Sequence, residues 1–506
     1  MNRPVVEIER ERKYEVAQDT VVPEFVGGGT VQGQDAPAEE KLDATYYDTT
    51  EFSLVRAGIT LRRRVGGHDA GWHLKLPVGP DEREELQVPL DADADADADA
   101  GKVPGELNRL LRAHTLGRKL LPIAHLKTDR FSHRLTDSAG QVVATVTDDH
   151  VTGEVGGKTA RLDRWREIEV ELAGDAAPEL LDELESTLVD AGARTSRWPS
   201  KLRRLIGDRV PDGQVTGKRP DAGEIVGAYL REQLAALQRA DVGVRRDVED
   251  SVHQLRVASR KLRSALRTFS SIVDDDRIPN VTRELKWLGG ELSPARDGEV
   301  VEALVRGWVD GAPAELVVGP VDQFLTRRFA REAVDARKKV LEALRSKRYL
   351  VLVQELDAVV SGVPTDTGPA RSVLRKPVRK AAGNLRKAEQ AAHGLSGREL
   401  EHALHDVRKK AKRARYAADV VRPVFGGKVR GWRKNVKNVQ ELLGEHQDWV
   451  VAGPVVYRLG VDGHDEGVGF TFGVLYGTAG GVRAGMRREF VSRWKRLEKG
   501  DAPKWL

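Results

Sequence analysis

Two rhythms of apolar and polar residues divide this chain. Up to about Gly207, short runs alternate between the two classes, as in Val5–Val16, Thr60–Val65, Trp72–Leu76, Gln141–Thr147 and Trp165–Leu172. Gly, Pro and Asp clusters separate them, which predicts antiparallel strands joined by turns. Helical spacing interrupts this pattern at Glu106–Ala113 and Pro178–Ala191, and the Asp-Ala repeat of Asp91–Gly101 predicts a solvated loop. Asp208–Gly223 is rich in Gly, Pro and Asp. We therefore place one unit at residues 1–207, a linker at 208–222 and a second unit at 223–506. Beyond the linker the apolar period lengthens to that of a helix, which predicts an α+β chain with a β-rich front and an all-α rear.

The helical half repeats itself. His253-Gln-Leu-Arg256-(x)3-Arg260-Lys261-x-Arg263 recurs about 150 residues later as His405-Asp-Val-Arg408-(x)3-Lys412-Arg413-x-Arg415. Leu285-Lys-Trp-Leu288, running on to Arg296-Asp297, likewise recurs as Val436-Lys-Asn-Val439, running on to Gln447-Asp448. Two similar helical bundles related by duplication follow. At about 100° per residue, His253, Arg256, Arg260, Arg263 and Arg267 share an arc of about 80°. Leu255, Leu262, Leu266 and Phe269 lie opposite. His405, Arg408, Lys412 and Arg415 form the second stripe, backed by Val407, Ala411, Ala414, Ala418 and Val421. Like charges at these spacings repel, and the first stripe contains no acid. An external polyanion would neutralise it.

Charge sharpens the division. Residues up to Gly217 carry 29 basic against 40 acidic side chains, and the remainder carries 54 against 38, giving the net +5 of the whole. At 506 residues the chain is too long for one ordinary core. It has no cysteine, which removes disulfides and thiolate chemistry and suits a cytoplasmic location. Charges close behind Met1 are unlike a secretion signal, and the apolar Gly467–Val482 run falls short of the roughly 20 residues of a membrane span. We read that run as a site of close helix packing.

In an extended strand Glu7, Glu9, Glu11, Lys13 and Glu15 share one face, which cannot be a dry core. Glu167, Glu169 and Glu171 repeat the device, and Arg62 with Arg64 supplies basic counterparts. Outer faces with cross-strand ion pairs are one reading. The other is a site where carboxylates hold a divalent cation and guanidinium or ammonium groups hold phosphate.

The front half resembles the CYTH domains, the triphosphate tunnel metalloenzymes. Glu9-x-Glu11-x-Lys13 matches their ExExK signature. Tyr46-Tyr47-Asp48-Thr49, Leu61-Arg62-Arg63-Arg64, Gly71-Trp72-His73-Leu74-Lys75-Leu76-Pro77, Lys127 with Arg130, Glu167-x-Glu169-x-Glu171 and Ser200-Lys201 follow in order. An additional Glu-x repeat offers Glu7 and Glu9 as a second register, and Lys13 favours Glu9 and Glu11. The resemblance implies an eight-stranded antiparallel barrel binding a triphosphate with Mg2+ or Mn2+. It implies that Glu9, Glu11, Glu169 and Glu171 hold metal and that Glu9, Glu11 and Lys13 act in catalysis. Lys13, Arg62, Arg64, Lys75, Lys127, Arg130 and Lys201 would grip phosphates.

The rear half resembles the CHAD domain over roughly Gly223–Leu497. That resemblance implies two four-helix bundles facing across a basic groove that binds inorganic polyphosphate. His253, Arg256, Arg260, Arg263, His405, Arg408, Lys412 and Arg415 are the expected contacts, with Lys261, Arg267, Lys409 and Arg413 in a second rank. Gln254 stands where many relatives carry an acid, and Gly298 where an apolar residue is usual. His402 and His405 lack a third ligand at metal-site spacing.

The expected function is a metal-dependent triphosphatase, with inorganic tripolyphosphate as its substrate, joined to a polyphosphate-binding module. The alternatives are a catalytically idle polyphosphate-binding or granule-targeting protein, and adenylate cyclase or thiamine triphosphatase chemistry within the tunnel family. Nucleic acid is the poorer match for the basic half, because neither stripe interleaves the aromatic residues that stack bases.

Overall fold

The computed structural model describes residues 5–27, 29–79, 81–90, 102–156, 161–210, 220–463 and 467–499. The Asp91–Gly101 repeat and most of the expected linker lie outside them. The chain divides into two compact units, Met1–Asp212 and Gly213–Leu506.

The described residues of the first unit form ten strands: β1 (Val5–Glu15), β2 (Gly33–Gln34), β3 (Ala38–Asp48), β4 (Thr60–Val65), β5 (Gly71–Pro77), β6 (Glu82–Pro89), β7 (Leu121–Thr136), β8 (Val142–Val155), β9 (Arg161–Leu172) and β10 (Arg194–Thr195). The eight longer strands pair antiparallel in the order β1-β6-β5-β4-β3-β7-β8-β9, and β9 returns to β1 and closes a barrel. Closure removes every long edge, and alternation then sends successive side chains to the lumen or the exterior. Strand β8 runs on past the expected Gln141–Thr147 segment to Val155, with Asp148 bonded to Arg166 and Asp149 to Arg130.

The apolar core is divided. Tyr14, Val146, Ile168 and Val170 project outward from the wall and pack with Leu181, Leu184 and Leu188 of the Leu180–Asp190 helix. Inside the barrel, Ala124, Leu126, Val151 and Trp165 surround Leu202, Leu205 and Ile206 of the short Lys201–Ile206 helix, which plugs that end. Ser200 caps this helix by accepting from the Arg203 N–H, and so fixes where Lys201 emerges. Charged residues take the remaining lumen.

In the second unit, the Ala222–Arg246, Ser251–Thr268 and Ile278–Glu291 helices are followed by Ser293–Gly311 and Val321–Arg345. Arg375–Gln390, Gly397–Phe425, Gly427–Asp462 and Gly469–Lys499 repeat the set. The duplication seen in sequence is thus a duplication of helices. One difference has a covalent cause: Pro294, with no N–H to donate, starts a new helix where the second copy runs on unbroken. The copies are not separate cores. Val305, Phe324 and Leu325 of the first pack with Val456, Phe472 and Leu475 of the second. Phe472 and Leu475 belong to the Gly467–Val482 run, but Gly473, Gly477, Gly480 and Gly481 face open space, so large side chains rather than close backbone approach carry the packing there. Among the described residues no helix is long and apolar enough to cross a membrane.

Candidate functional site

Odd-numbered positions of β1, β8 and β9 and even-numbered positions of β3, β4 and β7 face a cavity of about 800 Å3. Glu9, Glu11, Lys13, Arg62, Arg64, Lys75, Arg130, Glu169, Glu171 and Lys201 all line it. Lys127 does not: three residues from Arg130 on one strand, it faces the other side and is exposed. Glu7 reaches the rim and is exposed, whereas Glu9 is buried, so the motif's deeper register runs through Glu9, Glu11 and Lys13.

The lumen charges are interleaved. Lys13 donates to Glu11 at 2.8 Å and also contacts Glu169. Lys75 donates to Glu9 at 2.6 Å, and Arg130 chelates Asp149 at 2.8 and 2.7 Å while reaching Glu169 at 3.0 Å. Lys201 binds Asp149, Glu167 and Glu169 at 2.8, 2.9 and 2.6 Å. Burial opposes ionisation of Glu11, but Lys13 and Lys75 outweigh it and draw that carboxyl down to about 2. Burial dominates at Glu9, where Lys75 opposes it and Glu85 reinforces it, and the group rises to about 8.

Two features of this network stand outside its pairing. The buried Nε atoms of Arg62 and Arg64 have no hydrogen-bond partner, although the terminal nitrogens meet Glu85 at 3.9 Å and Asp69 respectively; burial followed by repulsion from Arg62 and Arg130 pulls Arg64 down to about 9. Glu171 stands directly across the ladder from Glu11 and has no ion-pair partner among the described residues. Loss of solvation raises its pKa, with Lys75 opposing and Glu11 adding to the rise. Among the described residues no three His, Asp or Glu side chains are already gathered as a metal site; Glu9, Glu11 and Glu171 line the lumen with hard oxygen donors. Glu169 is engaged by Lys13, Arg130 and Lys201.

In the helical unit the two basic stripes lie on the Ser251–Thr268 and Gly397–Phe425 helices, and both core faces are buried. The stripes feel each other. Arg408 is lowered by burial and then by Arg260 of the other copy, and Arg263 by burial, Arg267, Arg260 and Arg413. Burial, then Arg408 and Arg260, pulls Lys412 down to about 6. The buried Nε atoms of Arg260, Arg408 and Arg415 are unpartnered. His253 and His405 are both lowered, first by burial; Arg296 then acts on His253, while Gln447 bonds His405 at 2.8 Å and partly offsets the effect. Asp297 reaches Arg256 at 3.2 Å, and Asp448 reaches Arg408 at 4.0 Å.

The sequence matches the family models of the CYTH domain over residues 7–202 and the CHAD domain over residues 228–456. It is 35% identical, over 98% of both chains, to uncharacterized proteins of Mycobacterium tuberculosis strains CDC 1551 / Oshkosh and ATCC 25618 / H37Rv. The chain belongs to the family of proteins that join a CYTH domain to a CHAD domain. Similar solved structures include the CHAD domain from Ricinus communis, at 26% identity and TM-score 0.44, covering 55% of this chain and 95% of that one. A protein from Hippeastrum, whose structure was described as revealing a dominant triphosphatase activity, is 15% identical, with TM-score 0.24 and coverage of 39% and 94%.

Several residues of the CYTH lumen escaped sequence reasoning. Glu85 receives His73 at 2.9 Å and lies 3.9 Å from both Arg62 and Lys75, yet Glu82-Arg83-Glu84-Glu85 is charged throughout and shows no alternation. Asp149 lies just beyond the expected Gln141–Thr147 strand. In the CHAD unit, Asp297 and Asp448 approach the stripes from neighbouring helices, and the one signal for them was recurrence at matched spacing.

Proposed function

We propose that the CYTH unit hydrolyses a triphosphate with the help of a divalent cation, with inorganic tripolyphosphate as substrate, and that the CHAD unit holds inorganic polyphosphate. The observation carrying the first part is the coexistence, in one lumen, of unpartnered guanidinium atoms on Arg62 and Arg64 with an unpaired carboxylate, Glu171, facing Glu11. The two halves of this deficit have opposite sign, and a metal-bound phosphate chain supplies both. Arg62, Arg64, Lys75 and Arg130 would take phosphoryl oxygens, while Glu9, Glu11 and Glu171 would hold Mg2+ or Mn2+. The cation would polarise the phosphoryl group under attack by water. Lys13 and Lys75, now paired with Glu11 and Glu9, become free to follow charge developing on the leaving oxygen.

For the CHAD unit, the unpartnered Nε atoms of Arg260, Arg408 and Arg415 and the depressed Lys412 favour an extended polyanion. A location on polyphosphate granules within the cytoplasm agrees with this reading.

The test is phosphate release from tripolyphosphate, adenosine triphosphate, thiamine triphosphate and long chains, with and without Mg2+, for the wild type and for Glu9→Ala and Glu11→Ala. Wild-type release no greater than that of the variants rejects the hydrolase. A second reading, an idle barrel, draws support from the mutual satisfaction of Lys75 with Glu9 and Lys13 with Glu11, and the same assay separates the two. Displacement of long-chain polyphosphate by duplex DNA at equal phosphate concentration would overturn the CHAD assignment.

A further inference from the structure

The two copies of the helical repeat differ at two positions on one helix face. Aligning Asp297 with Asp448 sets Ala295 against His446 and Gly298 against Trp449, so the first copy carries two small residues where the second carries two rings. Three residues apart, the members of each pair share a face. In the second copy His446 is buried, and Trp449 packs on the core shared by the repeats. In the first, a Cβ on Gly298 would point into open space.

A cavity of about 180 Å3 opens beside both small residues. Ala295 and Gly298 of the Ser293–Gly311 helix line one wall, Phe329, Ala336 and Val340 of the Val321–Arg345 helix line another, and Val252 comes from a third helix. Phe329, Ala336 and Val340 are buried, so core side chains form the floor. The charges at its edge are already answered within the unit. Glu299 pairs with Arg296 at 3.0 Å, Glu302 with Arg306 at 2.9 Å, Glu332 with Arg328 at 3.1 Å, and Asp247 with Arg337. The pocket therefore calls for neither an anion nor a cation. Apolar walls with no atoms to pack against forfeit dispersion energy, and in another protein's core a cavity of about 150 Å3 is enough to take benzene.

We propose that this cavity binds a small, uncharged, planar aromatic molecule, its ring standing at the repeat position that the Trp449 indole fills in the second copy. Phe329 offers that ring an aromatic neighbour. A flexible alkyl chain of similar bulk is the poorer occupant, because binding freezes rotamers that a rigid ring does not have. Phosphate chains are poorer still, since the apolar walls offer no hydrogen bonds to replace lost hydration. No residue of either basic stripe lines the cavity, so the proposal does not rest on the polyphosphate reading.

The test uses the full chain and fluoroindole followed by fluorine magnetic resonance, with indole, n-hexanol and a blocked Gly-Trp-Gly peptide as competitors. Wild type should bind the probe saturably, and indole should displace it about fivefold or more better than n-hexanol or the peptide. Gly298→Trp fills the cavity from one wall and Ala336→Leu from another, and each should weaken the probe about tenfold or more. Gly298→Ala relieves the same helix-weakening glycine but adds only a methyl group, and it should stay within about threefold of wild type. Absence of saturable binding to wild type, or undiminished binding to both filled variants, overturns the proposal. Displacement by n-hexanol as readily as by indole overturns the aromatic assignment, and tighter binding of the peptide overturns the small-molecule assignment in favour of a protein partner's side chain.

Discussion

Glu11 on β1 and Glu171 on β9 are directly opposed across an antiparallel ladder, both turned into the barrel. Like charges in that arrangement destabilise a sheet, so the pairing demands a cation. Lys13 answers for Glu11 at 2.8 Å, whereas Glu171, exposed to the lumen's solvent, forms no ion pair among the described residues and feels Lys75 and Arg130 only at longer range.

Glu171→Gln should therefore stabilise the ligand-free barrel by about 0.5 kcal/mol, a modest figure because the group meets solvent in the lumen. The pH dependence has a definite sign. Glu171 holds its proton more tightly in the barrel than its ordinary 4.5 implies. Its ionisation thus opposes folding: the penalty is absent below 4.5 and grows as pH rises through the folded-state value. Thermal melts from pH 4 to 8 should show a steeper decline for wild type than for the variant. With Mg2+ and tripolyphosphate the proposed metal role of Glu171 predicts that the ranking inverts, because a neutral amide is a weaker ligand for a hard cation than a carboxylate.

Lys201 offsets three carboxylates, so Lys201→Met should cost the barrel about 3 kcal/mol by leaving Glu167 without its ion pair and Asp149 and Glu169 with Arg130 and Lys13 alone. Glu169→Gln added to it should recover part of the loss, since it removes one of the charges that Lys201 offsets. Denaturant midpoints of the single and double variants measure this; a fully additive pair would show that Lys201 and Glu169 do not interact.

Polyphosphate binding to the CHAD stripes should take up protons. Lys412 falls from its ordinary 10.5 to about 6. The folded unit therefore binds fewer protons than the unfolded chain between those values, and its stability rises with pH across that window. An arriving polyanion restores the charge. Calorimetric titrations at pH 7.5 in buffers of different ionisation enthalpy should report uptake approaching one proton per site, abolished in Lys412→Gln.

Phe472→Ala should destabilise the helical unit by about 3–5 kcal/mol. Phe472 is fully buried in a core drawn from both copies of the repeat, so Val305→Ala, on the other copy, should shift the same unfolding transition. Separate transitions for the two substitutions would mean that the copies fold independently.

The stripes were legible in sequence because a helix is a local object: positions three and four apart share a face wherever it is placed, and the apolar residues opposite supply the burial that holds it. The ExExK strand was legible for the same reason, with a period of two. Lys127 was misplaced because family order was read without the alternation that turns it away from Arg130. Glu85 and Asp149 were missed because runs of consecutive charges have no readable period until barrel closure assigns them a side.

Local periodicity by itself determined which side chains travel together, and so fixed a β-rich unit, a duplicated helical unit and the charged rows on each. Only the tertiary structure decided which rows meet. The opposition of Glu11 to Glu171, the convergence of Arg260 with Arg408 and Lys412 and the core shared by the two repeats all depend on strand register and helix packing. Those contacts join residues far apart in the chain, where no short-range pattern records them.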